Sequence, residues 1–342
     1  MKIRTIIFLC AAACVAAGCA KVRSGSTYEA DKRYFDAWVG LNYPDAVKIS
    51  DVVVISDEEG GGAPVADSTF IFIHYSARLL DGTIEETTRE EVAKQLGSWD
   101  PARYYGPQPW QTDEDALTVG VERAIKGSSI VEDSPLASMK VGGKRRFIVP
   151  VWLGGKTRYG DESEYMKNSS GSSNYIYDVE ITDATDDIIR WQLDSMKRFS
   201  EKFLGGIDTV SAGFYYKQLR EPADTITMSN DTTLYVNYIG RLLNGQVFDT
   251  NLADTAKMYN IYSSARDYAP AEINWNEDPS SITMNGSSVI SGWAKALSMM
   301  NKYEKGVTMF YSPLGYSYSG SGNSIPPYAP LIFELELVDN PE

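Results

Sequence analysis

Leu234-Tyr235-Val236-Asn237-Tyr238, followed by Arg241-Leu242-Leu243-Asn244-Gly245, reads as a β-strand running into a tight turn. The same register occurs earlier in the chain. Ile71-Phe72-Ile73-His74-Tyr75 precedes Arg78-Leu79-Leu80-Asp81-Gly82, so the Tyr, the Arg-Leu-Leu and the turn Gly coincide. The later ends match as well: Tyr175-Ile176-Tyr177-Asp178-Val179-Glu180-Ile181 stands against Leu331-Ile332-Phe333-Glu334-Leu335-Glu336-Leu337. The spacing is too wide for a solenoid and predicts an internal duplication of a domain. Each copy should be mainly β, with one short helix before its later strands.

Between these blocks the pattern is simpler. Residues 28–39 predict a short helix with Tyr34, Phe35, Trp38 and Val39 near one face. Asp57-Glu58-Glu59-Gly60-Gly61-Gly62 predicts a hairpin loop, since it lacks the alternating oxygen-ligand spacing of a calcium site. Strands are expected at 144–151 and 174–181, with a Gly/Ser-rich loop over 155–174. Over 186–204, Ile188, Ile189, Leu193, Met196, Phe199 and Phe203 recur at helical steps and Gly205-Gly206 can end the helix. This helix should join the two copies.

The N-terminus reads as an address. Lys2 and Arg4 precede a short apolar run that ends in Val15-Ala16-Ala17-Gly18-Cys19. Small residues before a Cys resemble the lipobox of bacterial lipoproteins, which implies cleavage after Gly18 and a lipid on Cys19. An ordinary secretory signal with an incidental Cys is the alternative. The only other cysteines, Cys10 and Cys14, would be removed, so the mature chain would form no disulfide. The formal charge of −14 argues against nucleic acid and against electrostatic docking on anionic lipid. No later segment is apolar enough to span a bilayer.

The second copy resembles the FKBP family of prolyl isomerases, over roughly 209–339. Blocks in family order carry the resemblance. The first is Val236-Asn237-Tyr238-Ile239-Gly240-Arg241-Leu242 with Gly245 and Phe248-Asp249. Next come Val289-Ile290-Ser291-Gly292-Trp293, continuing to Leu297 and Met300, and Ser312-Pro313-Leu314-Gly315-Tyr316. The last is Ile325-Pro326-Pro327 with Ala329-Pro330 and the terminal strand. The resemblance implies an α+β fold: two FKBP-like domains, each a twisted antiparallel sheet wrapped over a short helix, here about 292–300, joined by a linker helix. It implies Trp293 as the floor of a proline pocket, walled by Tyr238, Phe248, Val289, Ile290, Ile325 and Phe333. The Ile290 N–H and the Tyr316 hydroxyl would hold substrate carbonyls, and Asp249 would sit at the rim near Tyr238.

The chain also departs from that pattern. A long segment separates Phe248-Asp249 from Ile282-Thr283-Met284 and holds Tyr259, Tyr262, Tyr268, Pro270 and Trp275. It could be a lid, a partner surface or a decorated loop. Where the family carries a Phe before Val-Ile, this chain has Ser281-Ile282, and Tyr318 rivals Tyr316 for the hydroxyl role. The first copy departs further. Ile84-Glu85 is expected at its Phe-Asp position, Ala124-Ile125-Lys126-Gly127-Ser128 at its Val-Ile-x-Gly-Trp position, and no Ile-Pro-Pro precedes Tyr175. It reads as a degenerate domain without a working pocket, with an aromatic and Pro-rich segment between Trp99 and Trp110.

Other chemistries find little support. His74 is the only histidine, and no Gly-x-Ser-x-Gly elbow accompanies it. With one His and no unmodified Cys in the mature chain, neither a metal nor a cofactor is expected. Paired carboxylates have no pattern that selects them, and Gly320-Ser321-Gly322 does not open a helix. The expected organisation is a lipoprotein signal (1–18), a tether and short helix (19–45), a degenerate FKBP-like domain (46–184), a linker helix (185–206) and an isomerase domain (207–342). Expected partners are proline-containing polypeptides, the membrane through Cys19, and an envelope protein through the first domain. The expected location is the bacterial cell envelope, lipid-anchored and facing the periplasm. A polypeptide-binding, chaperone-like module with little turnover is the other reading.

Overall fold

A computed structural model describes residues 27–112, 117–127, 135–169, 171, 173–206, 209–222 and 228–340. The expected signal peptide, Cys19 and most of the tether lie outside these residues, as does Ser128. The first unit runs α1 (Thr27–Asn42), β1 (Val47–Ile49), β2 (Val52–Glu58), β3 (Phe70–Leu79), β4 (Ile84–Thr87), α2 (Glu90–Leu96), β5 (Gln108–Gln111), α3 (Val119–Lys126), β6 (Lys144–Val149), α4 (Glu162–Lys167) and β7 (Tyr175–Thr185). The linker helix α5 (Ile188–Phe203) follows. The second unit runs β8 (Thr209–Ser211), β9 (Phe214–Arg220), β10 (Thr232–Leu242), β11 (Val247–Thr250), α6 (Ala253–Met258), β12 (Ala271–Trp275), β13 (Thr283–Met284), β14 (Ser287–Ser288), α7 (Ser291–Leu297), β15 (Lys305–Phe310) and β16 (Leu331–Val338).

Both sheets are antiparallel and share one strand order. The first is β1-β2-β6-β7-β3-β4 with β5 also on β3; the second contains β8-β9-β15-β16-β10 with β11 and β12 on β10, and β13 and β14 extend it. The equivalence holds at the residue level. Ala77 pairs Glu86 and Tyr177 in the first sheet as Gly240 pairs Asp249 and Phe333 in the second. In β10 the even-numbered residues from Leu234 to Leu242 are buried and the odd ones more exposed, the period-two signature of a sheet with one covered face. The covered face packs on α7, whose Gly292 lies so close to the sheet that a Cβ would come within 2.4 Å of the Phe310 ring. Gly120 of α3 meets Val149 in the same way.

The linker helix begins on an Asp187 cap that accepts from the Arg190 N–H at 2.9 Å. Its buried row is Ile188, Gln192, Met196 and Ser200. Met196 packs on Tyr215, Val307, Met309 and Ile332, the outer face of the second sheet. The expected stripe is therefore rotated: Ile189 and Phe203 are exposed, because a buried Gln takes the middle of the contact. Gln192 donates to the Ser312 hydroxyl at 3.0 Å and accepts from the Ser312 N–H at 2.8 Å. Trp191 stacks on Phe72 of the first sheet at 4.2 Å, so one helix touches both units.

Two local expectations change. Segment 57–62 is not a hairpin loop, because β2 pairs with β1 and β6 while β3 pairs elsewhere. Its Gly60 instead abuts the 140–143 turn, where a Cβ would meet the Val141 carbonyl at 2.3 Å. The loop over 155–174 holds the short helix α4, capped by Asp161.

Candidate active site

The second core gathers the aromatic residues singled out above. Trp293, at the first turn of α7, is 3% exposed and lies under β10 and β16. Its ring meets Tyr238 edge-on at 5.1 Å and Phe333 at 5.3 Å, and Phe248 meets Phe333 at 5.5 Å. Ile325 is buried in the same cluster, with Val289 and Ile290 partly buried against it. Gly240 makes this crowding possible, since a Cβ there would lie 2.7 Å from Phe248 and 2.8 Å from Phe333. Among the described residues the buried Trp293 Nε1–H has no hydrogen-bond partner.

A polar network closes one side of this box. The Tyr238 hydroxyl donates to Asp249 at 2.8 Å and accepts from Arg266 Nη2 at 2.8 Å, while Arg266 Nη1 pairs with the other Asp249 oxygen. Burial, then the Asp249 charge, pushes the Tyr238 phenol well above its usual range. The hydroxyl is thus fully engaged. Tyr316 lies close enough to Asp249 for that charge to add to burial in raising its phenol. Tyr318 is 70% exposed and Tyr316 36%.

Arg266 was not among the expected site residues. It comes from the long segment after Phe248-Asp249, which is neither a bare loop nor peculiar to the second unit. Ala265-Arg266-Asp267-Tyr268 matches Ala102-Arg103-Tyr104-Tyr105. Both segments follow a short helix, α6 or α2. Both place a lysine over an aromatic, Lys257 on Tyr262 at 5.3 Å and Lys94 on Trp99 at 5.1 Å. In both a tyrosine hydroxyl accepts a backbone N–H, Tyr268 from Ser263 and Tyr105 from Asp100. The shared Ala-Arg-x-Tyr was the signal that could have found Arg266.

The equivalence corrects the reading of the first copy. By strand register its Phe-Asp position holds Glu85-Glu86, not Ile84-Glu85. By helix start, Thr118 corresponds to Ile290 and Gly120-Val121 to Gly292-Trp293, so Ala124-Ile125-Lys126-Gly127 falls beyond the motif. The floor is Val121, the Phe248 wall is Glu85, and the Phe333 wall is Tyr177, whose phenol burial pushes up to about 12. Part of the polar network survives: the Glu86 charge adds to burial in raising the Tyr75 phenol, and Arg103 reaches Glu86 at 3.4 Å. In the second unit Ile282 and Trp275 fill the core, with Trp275 Nε1 donating to the Leu297 carbonyl at 3.2 Å.

Comparison with known proteins bears on the second unit. The family described as FKBP-type peptidyl-prolyl cis-trans isomerase matches residues 224–338. The FK506-binding protein of Neisseria meningitidis serogroup B is 32% identical over 103 residues, covering 30% of this chain and 74% of that protein. The FKBP-type 22 kDa peptidyl-prolyl cis-trans isomerase of Escherichia coli is 26% identical over 166 residues, 47% of this chain and 68% of its own length. Others of the curated relatives are spanned for about half their length. A crystal structure of a peptidyl-prolyl cis-trans isomerase from Pseudomonas syringae pv. tomato is 27% identical, over 45% of this chain and 97% of that one, with a TM-score of 0.31. The chain belongs to the FKBP-type peptidyl-prolyl cis-trans isomerases. Its enzyme class is that of the family, peptidylprolyl isomerase.

Proposed function

We propose that the second unit catalyses rotation about X–Pro bonds of exported or envelope polypeptides in the box over Trp293. Unaided, that rotation faces a barrier of about 18–20 kcal/mol and takes tens of seconds or more. No bond is broken, so no nucleophile or metal is required. The planar amide is held by charge-separated resonance, which an apolar enclosure disfavours relative to the twisted amide. Trp293 would floor the proline ring, with Tyr238, Phe248, Val289, Ile290, Ile325 and Phe333 around it. The Ile290 N–H and the Tyr316 hydroxyl would hold carbonyls. Asp249, fixed by Tyr238 and Arg266, would face the twisting amide.

The observation that carries this reading is the edge-on packing of Tyr238 and Phe333 on a buried Trp293. The test is proline-limited refolding of a disulfide-free protein with and without the full chain. Acceleration is expected; a folded chain that leaves the slow phase unchanged would refute the reading.

The first unit, with Val121, Glu85 and Tyr177 at the pocket positions, fits a binding role better than turnover. This favours, as a second activity, the holding of extended polypeptide or an envelope partner. Anchoring through a lipid on Cys19, with the protein facing the periplasm, completes the proposal. Labelled palmitate incorporated by the wild type and lost in Cys19→Ser would support the anchor, and equal labelling of both would exclude it.

A further inference from the structure

The first unit reaches the rim of the second unit's box at two points. The Arg103 carbonyl accepts from Gln246 Nε2 at 2.9 Å. The Tyr104 N–H donates to the Asn323 carbonyl at 2.7 Å. Each contact sits beside a wall: only Val247 separates Gln246 from Phe248, and only Ser324 separates Asn323 from Ile325. The Tyr104 ring packs against the core that holds Trp293, Ile325 and Phe333, and burial pushes its phenol up to about 12. With Leu242, Pro326 and Pro327 it lines an apolar cleft of about 350 Å³ between the units.

The ring is held in place by its own segment. Its hydroxyl donates to the Pro107 carbonyl at 3.3 Å, and it lies over Gly106, where a Cβ would meet that hydroxyl at 2.3 Å. By the Arg103–Arg266 equivalence, Tyr104 corresponds to Asp267, an exposed charge. Each unit has the same arginine at its mouth, but only the first follows it with an aromatic half-buried against its neighbour.

We propose that Tyr104 is a positioning residue of the isomerase site, which the first unit therefore completes. By gripping the chain next to Phe248 and next to Ile325, segment 103–107 fixes the separation of two walls and so selects the residues that fit beside the proline. This rests on the isomerase reading above. Geometry errors of an ångström at such walls are costly.

The test uses the full chain with the single variants Tyr104→Ala, Tyr104→Phe and Gln246→Ala and the double variant Tyr104→Ala/Gln246→Ala. Two quantities are read: kcat and KM over a series of peptides differing in the residue before proline, and the Trp293 indole resonance, assigned by its loss in Trp293→Phe. In Tyr104→Ala we expect KM to rise about tenfold with kcat within about twofold, a flatter residue preference and a moved indole resonance. Tyr104→Phe should stay near wild-type values, because it keeps the ring against the core and loses only the long hydroxyl bond to Pro107, whereas Tyr104→Ala keeps the N–H but loses the ring. Gln246→Ala should raise KM less, and the double variant should be less than additive. A folded Tyr104→Ala with unchanged KM and an unmoved indole overturns the proposal. Should Tyr104→Ala not fold, Gln246→Ala decides by the same readings. Should the wild type not isomerise, the isomerase reading fails by itself and the indole resonance alone decides whether the first unit sets the box.

Discussion

Glu86 and Asp249 are equivalent residues of the two units. Each lies in the short strand after the turn, each carries its charge beside a tyrosine phenol of the neighbouring strand and raises it, and each is met by an arginine 17 residues further on. The two units thus share a polar mouth and differ in what lies beneath it. Under Asp249 is a Trp floored between aromatic walls; under Glu86 the floor is Val121 and the walls carry oxygen atoms.

Removing the arginine should separate stability from activity. Arg266 and Asp249 are each about two-fifths exposed, so Arg266→Ala should cost less than about 1 kcal/mol in urea unfolding. The Tyr238 hydroxyl and Asp249 would lose their shared partner, and kcat/KM on an X–Pro peptide should fall about three- to tenfold. Equal kcat/KM in variant and wild type would show that Arg266 does nothing at the mouth.

A methyl group added at Gly240 has nowhere to go between Phe248 and Phe333. Gly240→Ala should destabilise the second unit by about 1–3 kcal/mol, measured by chemical denaturation. The equivalent position in the first sheet already holds Ala77, and Ala77→Gly should cost only about 0.5–1 kcal/mol, mainly through backbone entropy.

Acid should weaken the first unit through its single histidine. Burial, then the nearby Arg89, lowers the His74 pKa below 6.5, and Nδ1 bonds the Thr88 hydroxyl at 3.1 Å. The folded state therefore binds this proton less readily than the unfolded chain. Its contribution to stability is complete above about pH 6.5 and is lost as pH falls towards the folded pKa. The imidazole resonance should titrate below 6.5, and His74→Gln should flatten that part of the melting-temperature profile. Titration above 6.5 would contradict the assignment.

Alkali should leave the site alone over a wide range. Burial and the Asp249 charge raise both Tyr238 and Tyr316, so neither phenol should ionise before its ordinary value of about 10. Isomerase activity should be level from neutral pH to about 10, read by peptide exchange. A fall centred well below that value would mean that a different group titrates in the site.

Much of this architecture was legible in the residues. Strand alternation, the turn glycines and the matching ends gave two sheets of one topology, and the blocks around Phe248, Trp293, Tyr316 and Ile325 converge on one core. Apolar character alone misplaces the first copy's motifs, because strand geometry and not hydrophobicity sets their positions. Ile84 resembles Phe248 chemically, yet it occupies the place of Val247; the irregularities at Ala77/Arg78 and Gly240/Arg241 set Glu85 and Phe248 apart as the extra residues. Gly127 drew the glycine–tryptophan motif towards the helix end, whereas the close approach to the sheet belongs to Gly120. Arg266 stayed hidden because its partners are far along the chain. Nothing in periodicity marks Tyr104 or Gln192, whose burial depends on the neighbouring unit or sheet.

The most direct measurement is NMR exchange between the cis and trans forms of a short X–Pro peptide in the presence of the full chain and of its Trp293→Leu variant. The account predicts clear acceleration by the wild type and a loss of more than about tenfold in a variant that remains folded. Acceleration that survives the loss of Trp293 in a folded chain would place the activity somewhere other than this pocket.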